Sequence, residues 1–237
     1  GSIRRKRDIG TMHIHSRHIA KVVGMACALF AAQAAQASDV QTWAVLAGKI
    51  DLDPKTEATL DIVARSNADS FDIGQANARI GVRRDLGDQW KIQATYQYVD
   101  TVVSGAPDRY EHRLGQTLSR PIGSIGAVAF DARVVMEERF QPSGGELGWR
   151  ARERLRASTP IAHNIALQIS EEAIASLNDT DWGQRAGLTA TRLSAGVRFG
   201  LSNHWGVSPG YNWQHIFLRG EQDRNDHIAA LTVDFRY

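Results

Sequence analysis

Gln75-Ala76-Asn77-Ala78-Arg79-Ile80-Gly81-Val82-Arg83 puts Ala76, Ala78, Ile80 and Val82 on one parity and Gln75, Asn77, Arg79 and Arg83 on the other. A period of two belongs to a β-strand with one apolar and one polar face. Asp85-Leu86-Gly87-Asp88 then supplies turn chemistry. The next stretch again sets Trp90, Ile92, Ala94, Tyr96 and Tyr98 against Lys91, Gln93, Thr95 and Gln97. Two such runs joined by a tight turn make an antiparallel hairpin.

The pattern recurs outward from this hairpin. Val128, Phe130, Ala132, Val134 and Met136 oppose Asp131, Arg133 and Glu137, and Leu193, Ala195, Val197 and Phe199 oppose Arg192, Ser194 and Arg198. Helical periodicity is absent from these stretches, and no Pro/Gly/Ser-rich linker divides them. Eleven alternating segments can be counted after residue 38. A single-chain barrel with both ends on one side of a membrane needs an even number, so the spacing predicts 10–12 strands, with the segment from Val40 to Leu52 expected either to be broken or not to cross in the ordinary way.

In a soluble barrel the apolar faces would point inward. Three features predict the opposite. The apolar faces are alanine-rich and end in aromatics (Trp43, Trp90, Tyr98, Tyr110, Trp149, Trp205, Trp213, Tyr237), as lipid-facing bands with interfacial girdles do. The polar faces match arginines with acids where a wet surface would use lysine: beyond residue 37 the chain has nineteen arginines and three lysines. Connections alternate in length, with tight ones at 53–55, 85–89, 120–125, 160–164 and 201–204. Longer ones fall at 67–73, 101–109, 140–147, 175–183 and 216–226. The fold class expected is all-β, an antiparallel transmembrane up-and-down β-barrel.

The amino-terminal stretch reads as an upstream extension (1–11) followed by a cleaved signal peptide (12–37). Arg17 and Lys21 precede an apolar run from Val22 to Ala32 and the small-residue site Ala35-Gln36-Ala37. That run is too short to span a bilayer as a helix. Residues 1–37 hold six of the 28 Lys and Arg and one of the 26 acids, leaving 22 basic against 25 acidic groups, a balance of −3. The basic pI of the whole chain thus belongs mostly to this segment, and the electrostatic footprint of nucleic-acid binding is missing from the rest. Cys27 is the one cysteine, so the remainder can form neither disulfides nor a thiolate metal site. No cofactor or metal is expected.

Leu231, Val233, Phe235 and Tyr237 alternate with Thr232, Asp234 and Arg236 up to a terminal aromatic. This run resembles the carboxy-terminal strand by which outer-membrane barrels are recognised for assembly. It implies the barrel-assembly machinery and outer-membrane lipids as partners, and the outer membrane of a Gram-negative bacterium as the location. More widely, the chain resembles the outer-membrane family catalogued as domain of unknown function 2490. The matching features are Trp43, Arg65, Tyr110-Glu111-His112-Arg113, the Arg133-x-x-x-Glu137-x-Arg139 spacing, Arg150-x-Arg152, Glu171 or Glu172, and the step from Arg185 to Gly187. The resemblance implies a fold and a membrane but no activity.

Candidate chemistry concentrates on the polar parity. Arg150, Arg152, Arg154 and Arg156 share one face of one strand, with Arg79, Arg83, Arg113, Arg133 and Arg198 on the polar faces of others. Glu111, Asp131, Glu137, Glu172, Asp61 and Asp234 offer matching carboxylates. Enclosed together, these groups predict either a lumen packed by a bonded polar network or an anion-attracting pore lined by arginine. A lipid-modifying hydrolase is the third class. Parity places His204 inward and His112, His215 and His227 outward, and no serine is spaced to meet them, so the expectation is a non-enzymatic barrel. Two residues break the pattern: Glu153 shares the apolar parity, which predicts a bulge or a headgroup-level position, and Pro209 interrupts a strand, which predicts a bulge or an edge.

Overall fold

A computed structural model describes residues 39–237 apart from 69, 104 and 106. The expected extension (1–11) and signal segment (12–37) lie outside the described residues. The described chain forms eleven strands in order: β1 Asp39–Asp53, β2 Thr56–Ser66, β3 Ile73–Gly87, β4 Trp90–Thr101, β5 Arg109–Ile125 and β6 Val128–Phe140, then β7 Gly148–Ala162, β8 Ile165–Ser176, β9 Gly187–Gly200, β10 Trp205–Ile216 and β11 Arg224–Arg236. Each strand pairs with its sequence neighbours, and β1 closes the sheet against β11.

The eleven segments counted in the sequence are therefore eleven strands, and the segment from Val40 to Leu52 is unbroken. The even-number rule fails at one seam. Ten neighbouring pairs are antiparallel, but β1 and β11 run parallel from Asp39↔Asp226 to Lys49↔Arg236. Parallel pairing satisfies the backbone of both edge strands without a twelfth strand. It also puts Asp39 and Arg236 at opposite rims.

Connections alternate as expected. One rim carries two-residue turns at 54–55, 88–89, 126–127 and 163–164 and the four-residue turn 201–204, and the other carries loops 67–72, 102–108, 141–147, 177–186 and 217–223. Asp88 and Gln89 both hold positive φ, as the tightest hairpin turns require. Two expected turns shift along the chain. β5 continues through a bulge at Pro121/Gly123 to Ile125, and β7 continues through one at Pro160/Ala162, because a bulge accommodates a proline that cannot donate to the ladder. The expected loop at 175–183 lies at 177–186, since β8 extends to Ser176.

The apolar faces point outward. Ile80 (58% exposed), Val82, Leu114, Val134, Leu155, Leu193 and Leu231 are all open on the barrel's exterior, whereas Glu137 and Glu172 are buried at 3% and 4%. This inverts the arrangement of a soluble protein. Trp90, Trp205 and Phe235 sit at the short-turn rim, with Trp205 and Phe235 5.4 Å apart, while Tyr98, Tyr110, Trp149 and Trp213 sit near the long-loop rim.

Three expectations are corrected here. Trp43 is no girdle residue, because its partners Arg65 and Ala230 share the polar parity and it is buried at 9%. Of the two alternatives for Glu153 only the bulge is ruled out, since the residue pairs in register with Val134 and Ala173 and stays exposed on the outer face. Pro209 also lies in constant register between Val207 and Gly210. The ladder to β9 skips two residues there, and paired Gly196 and Gly210 let the backbones approach so closely that a Cβ on Gly210 would sit 3.0 Å from the Ala195 carbonyl.

Candidate functional site in the barrel lumen

The inward positions of β5 to β9 converge on a chain of ion pairs. Glu172 on β8 accepts bonds from three arginines of three strands: Arg133 at 3.0 Å, Arg152 at 2.8 Å and Arg192 at 3.1 Å. Arg152 reaches on to Glu137 at 3.3 Å, which also binds Arg150 at 2.5 Å. Nearer the long-loop rim, Glu111 is gripped by Arg113 (2.9 and 2.8 Å) and by Arg139 (2.5 and 3.0 Å). Register explains the convergence, since Glu137 faces Arg150 across β6 and β7 and Glu172 faces Arg192 across β8 and β9. Of the two candidate acids within β8, Glu172 is the lumen residue, while Glu171 shares the outward parity of its partner Leu155.

Trp43 fills the space beside this network. Arg65 lies over its ring at 4.1 Å and Arg192 at 4.8 Å, and its indole N–H donates to Gln41 at 3.2 Å. A tryptophan between guanidinium groups gives each an aromatic face where carboxylates have run out. In this layer and at Glu111, six arginines share three glutamates, and the buried Nε atoms of Arg65, Arg133 and Arg152 have no acceptor among the described residues. The network is rich in donors.

Lower in the barrel the remaining predicted residues pair locally. Arg79 binds Asp61 at 2.7 Å, Arg83 binds Glu57, Arg154 and Arg156 flank Asp131 at 3.6 and 2.6 Å, and Arg198 binds Asp234 at 2.7 Å.

A cavity of about 780 Å³ opens above the network at the long-loop rim. The longest loop, 177–186, is tied across this mouth to loop 141–147. Asp181 accepts the Gly145 amide at 2.8 Å, which with the neighbouring backbone amides holds its carboxyl below the ordinary aspartate value of 3.8. The Trp182 indole donates to the Glu146 carbonyl at 2.7 Å, and Arg139 lies 5.1 Å from its ring. Gln184 is buried and accepts from Arg139 at 2.8 Å. A smaller cavity of about 240 Å³ opens at the other rim among Asp51, Glu57, Arg83, Lys91 and Arg236. The two cavities share no lining residue.

Residues 40–225 match the family described as "Protein of unknown function (DUF2490)". The chain belongs to this family. An uncharacterised protein of Methylorubrum extorquens is 29% identical over 168 residues, covering 70% of this chain and 74% of the relative. Among solved structures, the translocator domain of the autotransporter NalP from Neisseria meningitidis aligns with TM-score 0.42 at 14% identity, over 75% of this chain and 72% of that one. OmpT, an outer-membrane protein of Vibrio cholerae, aligns with TM-score 0.37 at 11% identity, over 70% of this chain and 57% of its own. A loop-deletion form of the same OmpT aligns with TM-score 0.38 over 67% of this chain, which spans 56% of that chain.

In this DUF2490 chain most of the scattered residues that carry the family resemblance meet in the lumen, while His112 and Glu171 face outward. Trp43, Arg65, Arg133, Glu137, Arg152 and Glu172 form the central layer, and Glu111, Arg113, Arg139 and Arg150 line the cavity above it. Sequence reasoning put Arg192 on the polar face of its strand without including it in the site, and it missed Arg65 and Trp43 as lumen groups, although Trp43 shares parity with Lys49 and Asp51, which was signal enough. Trp182, Gln184, Arg109 and Arg219 lie in or next to aperiodic loops and carried no such signal.

The histidines are engaged separately. His112 bonds the Tyr96 hydroxyl at 2.7 Å, His227 bonds that of Tyr211, and His215 contacts Asn225 at 2.9 Å and Asp223 at 3.2 Å. His204 lies at the short-turn rim, where it meets the Arg236 carbonyl at 2.8 Å and stacks on Tyr237.

Proposed function

We propose that this DUF2490 chain is an integral outer-membrane barrel whose lumen is closed by its arginine–glutamate layer, so that it works by presenting a binding surface rather than by conducting. One observation carries this reading: cavities enter from both rims, and between them Glu137 and Glu172 are nearly inaccessible, each held by two or three arginines. A buried carboxylate satisfied on several sides is costly to displace, so the layer acts as a plug. The exposed apolar band supports residence in lipid. The terminal run Leu231, Val233, Phe235 and Tyr237, on the outward parity of β11, supports recognition by the assembly machinery.

The test is single-channel recording in planar bilayers with purified, detergent-folded protein. The plug predicts no steps above leak for the wild type. Steady conductance with anion preference would instead establish an arginine-lined pore, the reading favoured by the excess of guanidinium over carboxylate.

A further inference from the structure

We infer that the cavity at the long-loop mouth is a binding site for a small, soluble, multiply phosphorylated molecule of sugar-bisphosphate size. Such a site presupposes the closed floor proposed above, which makes the cavity a terminus and not a passage.

Six arginines line it, Arg109, Arg113, Arg139, Arg150, Arg185 and Arg219, against two acids, Glu111 and Asp179. Both acids are already committed. Each oxygen of Glu111 takes bonds from Arg113 and Arg139, and Asp179 accepts the Ala186 amide at 2.6 Å and meets Arg185 only at 4.0 Å. Donors are left over. Arg219 spends one nitrogen on the Ala186 carbonyl at 3.0 Å, and Arg109 is exposed, with no carboxylate within ion-pair distance among the described residues. Cations gathered in a concavity with low-dielectric walls focus potential onto it. That the cations are arginines and not lysines selects oxyanions that can be held by two parallel bonds, of which phosphate is the strongest.

Size and rigidity agree with this. A volume of about 780 Å³ falls in the range of small-molecule sites. The wall formed by loop 177–186 is fixed in advance: Gly144 and Gly148 pack so tightly on Trp182 that a Cβ on either would lie 2.6 or 2.5 Å from its ring. A pre-formed mouth loses little freedom on binding.

Fructose 1,6-bisphosphate serves as the probe, titrated into the full barrel in detergent while tryptophan fluorescence, which includes Trp182, is followed. Saturable binding is expected, weakening as salt rises. Glucose should not bind. Joint Arg109→Ala and Arg219→Ala substitution should raise Kd about tenfold or more, while Arg236→Ala at the opposite rim should leave it unchanged. The two substituted side chains are exposed at the rim, and an unaltered heat-dependent gel shift would establish that the double variant is folded. Absence of saturation in the wild type, equal weakening by Arg236→Ala, or binding only of nanodiscs containing phosphatidic acid would each overturn the site. Conductance of the same preparation reports on the floor separately, so a leaking barrel and an empty bowl are distinguishable failures.

Discussion

Glu172 shows how much one side chain holds. It is 4% exposed and its single charge binds three guanidinium groups from β6, β7 and β9. Glu172→Gln keeps the shape but removes the charge, leaving Arg133, Arg152 and Arg192 facing one another. Breaking a buried ion pair on one side costs about 3–5 kcal/mol. The temperature at which the folded band converts to the unfolded one on a gel should therefore fall clearly. Asp234→Asn should barely shift it, because the Arg198–Asp234 side chains are 40% and 29% exposed and solvent-screened pairs are worth less than about 1 kcal/mol. Equal shifts for the two variants would show that the central layer is not the stabilising one. At this scale the sequence was readable wherever parity was followed: Arg79, Arg133, Glu137 and Arg152 fell where alternation put them. Trp43 was misread because an aromatic near a strand end mimics a girdle, even though Lys49 and Asp51 on the same strand marked its parity as inward.

Alternation identifies strands, but it says nothing about which strand meets which at closure. That is why eleven segments looked like a miscount, and why the parallel β1–β11 seam emerged only from three dimensions. The seam is directly testable, because the chain beyond residue 37 has no cysteine of its own. Ala44 and Leu231 are partners across it. Ala44→Cys with Leu231→Cys should cross-link under mild oxidation, whereas Ala44→Cys with Phe235→Cys, four residues out of register, should not; the reverse result would require a different closure. Loops were the other illegible elements, since their contacts are long-range and aperiodic. The bond from Gly145 to Asp181 joins two loops that are 36 residues apart. The Asp181 carboxyl titrates below its ordinary value in the folded state, so its contribution is complete above 3.8 and is lost as pH falls through the depressed value. Pepsin should accordingly begin to cut within 141–147 and 177–186 across that acid window. Asp181→Asn should be cut to a similar extent throughout it, and a wild-type profile without pH dependence would remove Asp181 as the clasp.

The whole molecule follows from two inversions, apolar residues outside and charge inside, which suit a chain surrounded by hydrocarbon. For a barrel placed in a membrane as proposed above, the rims give the expected direction. Short turns on one side and long loops on the other orient such barrels with the short side toward the periplasm. Here an odd strand count adds a consequence that an even barrel lacks: β1 starts at the long-loop rim and β11 ends at the short-turn rim. On intact cells, a membrane-impermeant maleimide should label Ser143→Cys in loop 141–147 but reach Ala127→Cys, in a two-residue turn, only after lysis. A protease site placed immediately ahead of Asp39 should be cut from outside, along with the Ser143→Cys face. Cutting there only after lysis, with Ser143→Cys still labelled from outside, would mean that β1 runs the other way in the cell and that the parallel seam is not how the barrel closes. Labelling of Ala127→Cys alone would instead turn the entire barrel over, placing the arginine-lined mouth in the periplasm.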